Sequence, residues 1–268
     1  MIFYRSPAEI EALDRANALV LKVLDALEKM VAPGVTTLDL DRVSEEMVLK
    51  AGARPAFKGY RGYTRSLCAS INEEVIHGIP SKKRELKEGD IVSLDFGVLL
   101  DGYYGDSART VGVGSTAPEA ARLMQVTREA LARGIAAAKP GGRLSDIGSA
   151  IQEHVEAAGF SVVREFVGHG IGTSLHEDPQ VPNYGTPGAG PVLRDGLVLA
   201  VEPMVNLGTK RVREGADLRH GRVFPASIRH RRPHPVVRPL GLSAGRPLAG
   251  IRACRRAHPR PAPGNYQP

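Results

Sequence analysis

The sequence contains no tryptophan, only two cysteines, and no apolar run long enough to cross a membrane. Cys68 and Cys254 lie far apart, so they do not suggest a disulfide framework. The acidic residues Glu9, Glu11 and Asp14 follow the start of the chain at once, which does not fit the basic and then apolar pattern of an export signal. We therefore expect a cytoplasmic protein that has no membrane partner.

Acidic residues are also absent after Asp217. Residues 218–268 contain eleven Arg and no Lys, so residues 1–217 carry 25 basic and 29 acidic side chains, although the whole chain has a net charge of +7. The excess positive charge belongs to the tail, and the overall charge does not indicate a specific nucleic-acid partner. We predict a folded domain over 1–217 and a basic Arg- and Pro-rich tail over 218–268 that is irregular and disordered.

Apolar residues recur at helical spacing in four stretches. Ser6 and Pro7 predict the start of the first helix, and Thr37 is expected to cap the second. A third helix is expected to begin at Pro118, and Ser145 is expected to cap a fourth. Each helical pair is followed by strand-like segments that carry polar residues, which suggests two similar halves.

The chain is organised around residues 91–110, an apolar strand, a turn at 101–102 and a returning strand. Asp95 lies in the first arm and Asp106 in the second, and pairing of the arms can place both carboxylates on one face. A carboxylate in an apolar strand is costly unless it is paired, protonated or bound to a metal. At this point two alternatives are equally open: acids satisfied by backbone donors or by Arg109, and acids that bind metal.

Other acids and imidazoles lie at the ends of apolar strands. His169 stands among three glycines, His176 follows seven residues later, and Glu202 ends the apolar run 197–201. Asp95, Asp106, His169 and Glu202 together would suit a hard or borderline divalent ion. Two bridging acids would hold a pair of ions that activate water. A lone His such as His77 is more often structural.

This ordered set resembles the type I methionine aminopeptidases. The matching segments are 70–72, 75–80, Asp95 and Asp106 at a separation of eleven residues, 168–172, 176–182 and 201–205. The resemblance extends from the first helix to about Asp217. It implies an α+β "pita-bread" fold, in which a curved antiparallel sheet has helices on its outer face and the two halves are related by a pseudo-twofold axis. It also implies release of N-terminal methionine from nascent polypeptides.

The resemblance assigns roles to individual residues. Asp95 would bind one ion of a pair (Co, Mn, Fe or Zn), Asp106 would bridge both, and His169 and Glu202 would hold the other. Glu202 would also carry a proton, while His77 would contact the scissile amide nitrogen and His176 the developing oxyanion. Tyr60, Tyr63 and Cys68 match positions that line the methionine pocket, and Phe57 stands at a further position of that pocket where many relatives carry Cys or Tyr. The expected partners are nascent polypeptide N-termini, with the ribosome as a candidate meeting place, and a monomer is expected.

The resemblance ends before the family's fifth ligand, a bridging Glu in a strand reading roughly F-E-H-T. One hypothesis is a reading-frame shift near Asp217 in a GC-rich gene. Residues 228–235 can be back-translated so that a one-base shift gives Phe-Asp-Thr-Val-Ala-Leu-Thr-Pro, close to that strand, although the third bases are chosen freely. The alternative is a genuine disordered basic extension. Without the fifth ligand, metal affinity, stability and activity should all be low.

Two rival functions fit the same sequence. Proline-specific peptidases share the fold, but the short chain and the segment around Tyr60 and Tyr63 favour methionine. A catalytically inactive binding protein that holds RNA or ribosomes through residues 218–268 belongs to a different class.

Overall fold

A computed structural model describes residues 1–209 and 236–237 of the chain. The helices in this part are α1 (Pro7–Met30), α2 (Thr37–Lys50), α3 (Pro118–Ala137) and α4 (Leu144–Ala157). The strands are β1 (Arg54–Pro55), β2 (Leu67–Ile71), β3 (Ile91–Leu100), β4 (Tyr103–Gly112), β5 (Ser161–Val162), β6 (Gly168–Gly170), β7 (Glu177–Val181), β8 (Leu199–Ala200), β9 (Val205–Asn206) and β10 (Val236–Val237). A 3₁₀ turn spans Tyr60–Gly62.

The first half is an antiparallel sheet covered by α1 and α2. β4 pairs along the whole of β3, while β1 and β2 pair with successive parts of the other edge of β3. α1 packs against β3 and β4, and α2 packs against β1 and β2. The apolar face of β3, with Val92, Leu94 and Phe96, is fully buried in this core. Gly105 allows α1 to approach, because a Cβ there would lie 2.7 Å from the carbonyl carbon of Ala16.

In the second half, two helices again cover antiparallel strands, which are shorter than those of the first half. α3 and α4 pack together, and α4 covers β5 and β7. The strands form two small antiparallel sheets, ordered β10-β9-β5 and β7-β6-β8. Ile147, Ile151 and Val155 of α4 are buried in a second core with Val181 and Val205. None of the helices in the described part of the chain is both long and apolar enough to cross a membrane.

The helix starts confirm two sequence predictions and correct two others. Ser6 caps α1 within a full capping box, and α3 begins at Pro118. α2 is capped by Thr36 and not by Thr37, because Asp39 then lies three residues on and completes the capping box. Ser145 does not cap α4, since the helix begins at Leu144 and Ser145 lies within its first turn, where its hydroxyl is bonded to the backbone of Ala189.

The predicted tail lies almost wholly outside the described residues. Within it, the structure describes Val236–Val237, which pair antiparallel with Val205 and Asn206 of β9. The boundary expected at 217/218 also falls outside the described part and stays a prediction.

Candidate metal centre

The β3–β4 hairpin presents the two aspartates on one face, as predicted. Asp95 lies opposite Ala108, and Asp106 lies opposite Gly97, two residues further along β3. Since side chains alternate across a strand, the two carboxylates are diagonal neighbours on the same face. Arg109 has the opposite orientation, and its guanidinium pairs with Asp25 and Glu28 of α1. Its ion pairs are therefore with α1, and the interpretation that Arg109 neutralises the two aspartates is wrong.

Three of the four predicted ligands come together. In the described part of the chain, Asp106, His169 and Glu202 form a group whose ligand atoms all lie within 4.8 Å of one another. His169 Nε2 lies 3.6 Å from Asp106 Oδ2 and 3.2 Å from Glu202 Oε1. Asp95, although buried and on the same face as Asp106, is not a member of this group.

A hydrogen bond to the backbone fixes the orientation of the His169 ring on the side away from the two acids. Its Nδ1 lies 2.8 Å from the carbonyl oxygen of Gly170, to which the ring donates, so Nε2 faces the two acids. Burial lowers the pKa of His169, but the hydrogen bonds and charges of Asp106 and Glu202 outweigh it and raise the pKa to about 11. In the metal-free protein the ring is therefore a cation held between two carboxylates.

His176 stands beside this group. Its ring centroid lies 4.2 Å from that of His169, and its Nδ1 lies 2.8 Å from the hydroxyl oxygen of Tyr60. Burial, followed by the charge of His169, lowers the pKa of His176 below its ordinary value. The neutral form of the ring is therefore favoured, and its Nδ1 is hydrogen-bonded to Tyr60.

Glu202 lies just beyond β8, where Pro203 follows at once. The side-chain nitrogen Nδ2 of Asn183 donates a hydrogen bond to the backbone carbonyl of Glu202 at 2.8 Å, and Asn183 is fully buried. Sequence reasoning missed Asn183. Its only signal is its place two residues after β7, and that spacing says nothing about contact with a residue nineteen positions later.

His77 lies in the loop after β2, half-buried and with a positive φ of 59°. The adjacent Gly78 holds this loop against β2: its carbonyl accepts from the amide of Ala69, and its own amide donates to Ser70. A Cβ at Gly78 would lie 2.2 Å from the carbonyl oxygen of Ala69, so a glycine is required there. His77 is not a member of the three-residue group.

The predicted pocket residues fall into two sets. Phe57 and Tyr60 pack with Ile171 and Leu175, which joins the first half of the chain to the second next to His176. Tyr63 is instead buried next to β2, and Cys68 is buried within β2 itself. The Tyr63 hydroxyl donates to the carbonyl of Leu67 at 2.9 Å, and burial raises its pKa. Cys68 lies opposite Asp95 in the sheet.

The donor set of this site fits a divalent cation. Two carboxylates and one imidazole converge from β4, β6 and the segment after β8, and a third carboxylate lies one diagonal step away on β3. Oxygen-rich sites with one imidazole suit Mn²⁺, Fe²⁺, Co²⁺ or Zn²⁺. His176 lies beside these ligands, and the apolar side chains of Phe57, Ile171 and Leu175 pack nearby. Such a site is of the kind found in metal-dependent hydrolases.

Comparison with known families agrees with this class. The model of metallopeptidase family M24 matches residues 11–225. A methionine aminopeptidase of Clostridium acetobutylicum is 54% identical over 213 residues, which cover 80% of this chain and 85% of that protein. Methionine aminopeptidase 1 of Bacillus subtilis is 50% identical over 217 residues, covering 81% and 87%.

Solved structures lead to the same conclusion. Methionine aminopeptidase from Thermotoga maritima superposes with a TM-score of 0.84 at 45% identity, over 89% of this chain and 94% of that chain. Prolidase from Pyrococcus furiosus gives a TM-score of 0.65 at 26% identity, over 75% and 57%. The chain belongs to metallopeptidase family M24, within its methionine aminopeptidases. The predicted pita-bread fold and the divalent-metal requirement of the family are thereby confirmed.

Proposed function

We propose that this protein removes the N-terminal methionine of nascent polypeptides by hydrolysis of the first peptide bond, in the cytoplasm and as a monomer. The observation that carries the proposal is the convergence of Asp106, His169 and Glu202, with the ring of His176 beside that of His169. Methionine is favoured over proline-containing substrates because the relatives with the greater identity and coverage are methionine aminopeptidases.

Asp95, Asp106, His169 and Glu202 would hold a pair of divalent ions, in agreement with the donor chemistry of the site. Such ions polarise a carbonyl and lower the pKa of water. Glu202 would accept the proton of the attacking water, since its carboxylate is partly exposed at the edge of the group.

His176 would donate a hydrogen bond to the oxygen that gains charge as the carbonyl is attacked. If the Tyr60 hydroxyl donates to Nδ1, the ring proton resides on Nε2, which is the donor this role needs. His77 would contact the amide nitrogen of the scissile bond. Phe57, Tyr60, Tyr63 and Cys68 would surround the methionine side chain.

No acidic residue follows Asp217 in the sequence. Without the family's fifth ligand, a second ion would be held by fewer negative charges, so we expect weak binding of that ion and little activity. Metal content after purification in Mn²⁺ or Co²⁺ and methionine release from a Met-Gly peptide test this directly. Release at a high rate, abolished by Asp106→Ala, would show that the fifth ligand is dispensable; no release even at saturating metal would contradict the peptidase proposal for this chain.

A second candidate rests on the eleven arginines of residues 218–268, where no acid balances them. An inactive scaffold could bind RNA or ribosomes through this tail. Binding of RNA that weakens steeply with salt and disappears when residues 218–268 are removed would support it. Sequencing of the gene across codon 217 tests the frame-shift hypothesis: an alternative frame that restores a Glu would favour the peptidase, and its absence would favour a genuine tail.

A further inference from the structure

The first five residues form an arm that lies along the segment carrying His176. Ile2 makes a parallel bridge with Asp178, and the terminal amino group of Met1 pairs with the Asp178 carboxylate. The backbone amide of Arg5 donates to the carbonyl of Gly196 at 2.7 Å. The arm thus contacts two segments that flank the metal centre before α1 begins.

The Arg5 side chain, at the end of the arm, is buried, which is unusual for a charged residue. Its side chain is 7% exposed and that of its partner Glu177 is 6% exposed, and the guanidinium nitrogen lies 2.6 Å from Glu177 Oε1. Gly172 makes room for it, since a Cβ there would lie 2.1 Å from the guanidinium. Removal of one partner of a buried ion pair is strongly destabilising, because the charge of the remaining partner stays buried without compensation.

The Glu177 carboxylate that pairs with Arg5 also binds the loop before β7. Its Oε1 also accepts a hydrogen bond from the backbone amide of Ser174 at 3.0 Å and lies within 3.4 Å of the Thr173 hydroxyl. Residues 173–177 are therefore closed into a turn around one carboxylate. His176 lies inside that turn, next to Glu177 itself.

We propose that Arg5 is a positioning residue for His176: it locks the Glu177 carboxylate, and with it the turn 173–177, in the orientation that directs the His176 ring toward the metal centre. This inference rests on the proposed function, in which His176 contacts the reacting carbonyl. Arg5 itself touches neither substrate nor metal.

The test uses the full chain with Arg5→Met, Arg5→Lys and the control Arg15→Met. Arg15 is an exposed arginine on α1 whose nearest acid, Asp101, is 3.8 Å away. Hydrogen–deuterium exchange is followed by mass spectrometry over 171–178, and over α1 and β3 for comparison. We expect Arg5→Met to speed exchange in 171–178 by about tenfold or more and to leave β3 unchanged, because charge-assisted hydrogen bonds close the turn. Arg5→Lys should restore part of the protection, and Arg15→Met should have no effect.

Kinetics on a Met-Gly peptide then separate positioning from simple stability. We expect Arg5→Met to lower kcat by about tenfold while KM changes by less than about threefold, because a misplaced donor costs rate more than ground-state binding. Unchanged exchange in 171–178, a uniform rise that includes β3, or faster loop exchange with unchanged kcat would each overturn the proposal. If the wild-type chain releases no methionine, the peptidase proposal fails, while a selective rise in loop exchange would still establish the Arg5–Glu177 lock.

Discussion

His169 is the residue on which the electrostatics of the site depend. Both carboxylates of the three-residue group contact its Nε2, and the pKa of about 11 makes it a cation in the metal-free protein. Because this pKa lies above the ordinary 6.5, the charged ring contributes stability that is fully present below about pH 6.5 and is lost as the pH rises through 11.

Metal binding at this site should therefore release a proton. A ligand nitrogen must be deprotonated, so below about pH 11 each ion that binds His169 displaces its proton. We expect affinity for Mn²⁺ to rise by up to about tenfold per pH unit between about pH 6 and about pH 9. Calorimetric titration in buffers of different ionisation enthalpy measures the protons released. An affinity that does not depend on pH would show that the ion does not use His169.

Tyr60 is expected to set the tautomer of His176. Its hydroxyl lies 2.8 Å from Nδ1, and removal of that oxygen would let the ring proton move to Nδ1. We expect Tyr60→Phe to lower kcat on a Met-Gly peptide by about tenfold or more, with KM changed less. Tyr184→Phe is the matched control, since the ring of Tyr184 lies under the guanidinium of Arg164. Equal kcat in the two variants would contradict this role.

The β3–β4 hairpin is the element that the sequence predicted best. Its apolar arms, the turn at Asp101 and Gly102, and the common face of Asp95 and Asp106 all follow from local pattern and the alternation of side chains. Helix starts were predicted less well where two hydroxyl residues compete. Thr36 and Thr37 are adjacent, and only the position of Asp39 decides between them.

Contacts between distant segments could not be obtained from local pattern. The spacing of His169, Asp106 and Glu202 in sequence does not fix their distances. Their places at the ends of apolar strands suggested the group, and the resemblance to a family assigned their roles. Asn183 and Arg5 act through hydrogen bonds to Glu202 and Glu177, which no periodicity reveals. The remaining predicted roles, including those of His77 and Asp95, stay predictions.

The buried face of β3 should determine the stability of the first half. Leu94 is fully buried in the core beneath α1, whereas Leu49 on α2 is 56% exposed. We expect Leu94→Ala to lower the free energy of unfolding by about 2–5 kcal/mol. Leu49→Ala should change it by less than about 0.5 kcal/mol. Urea denaturation followed by circular dichroism measures both; equal effects would mean that this sheet is not part of the cooperative core.

At the scale of the whole molecule, the metal centre joins the two halves. Asp106 comes from β4 of the first half, whereas His169 and Glu202 come from the second. An ion held by all three would therefore stabilise the contact between the halves as well as the site. Phe57 and Tyr60, which pack on Ile171 and Leu175, reinforce the same contact with apolar surface.

Metal removal should consequently lower the stability of the whole domain. With free Mn²⁺ at about one hundred times its dissociation constant, we expect the free energy of unfolding to be about 2.7 kcal/mol higher than in a chelator. Asp106→Asn should remove most of this gain. Asp101→Asn should keep it, because Asp101 is an exposed turn residue. Urea midpoints with and without Mn²⁺ provide the measurement, and an identical gain in both variants would place the ion elsewhere.

The residue-by-residue pairing of β3 with β4 also constrains how this protein can change in evolution. Asp106 is opposite Gly97, whereas Arg109, on the other side of the ribbon, meets α1. One codon inserted or deleted between the turn and Asp106, with the rest of the ladder kept, would rotate that carboxylate toward the helix. The acid would remain in the sequence and be lost to the site, so the site depends on the length of the hairpin as much as on the acid itself.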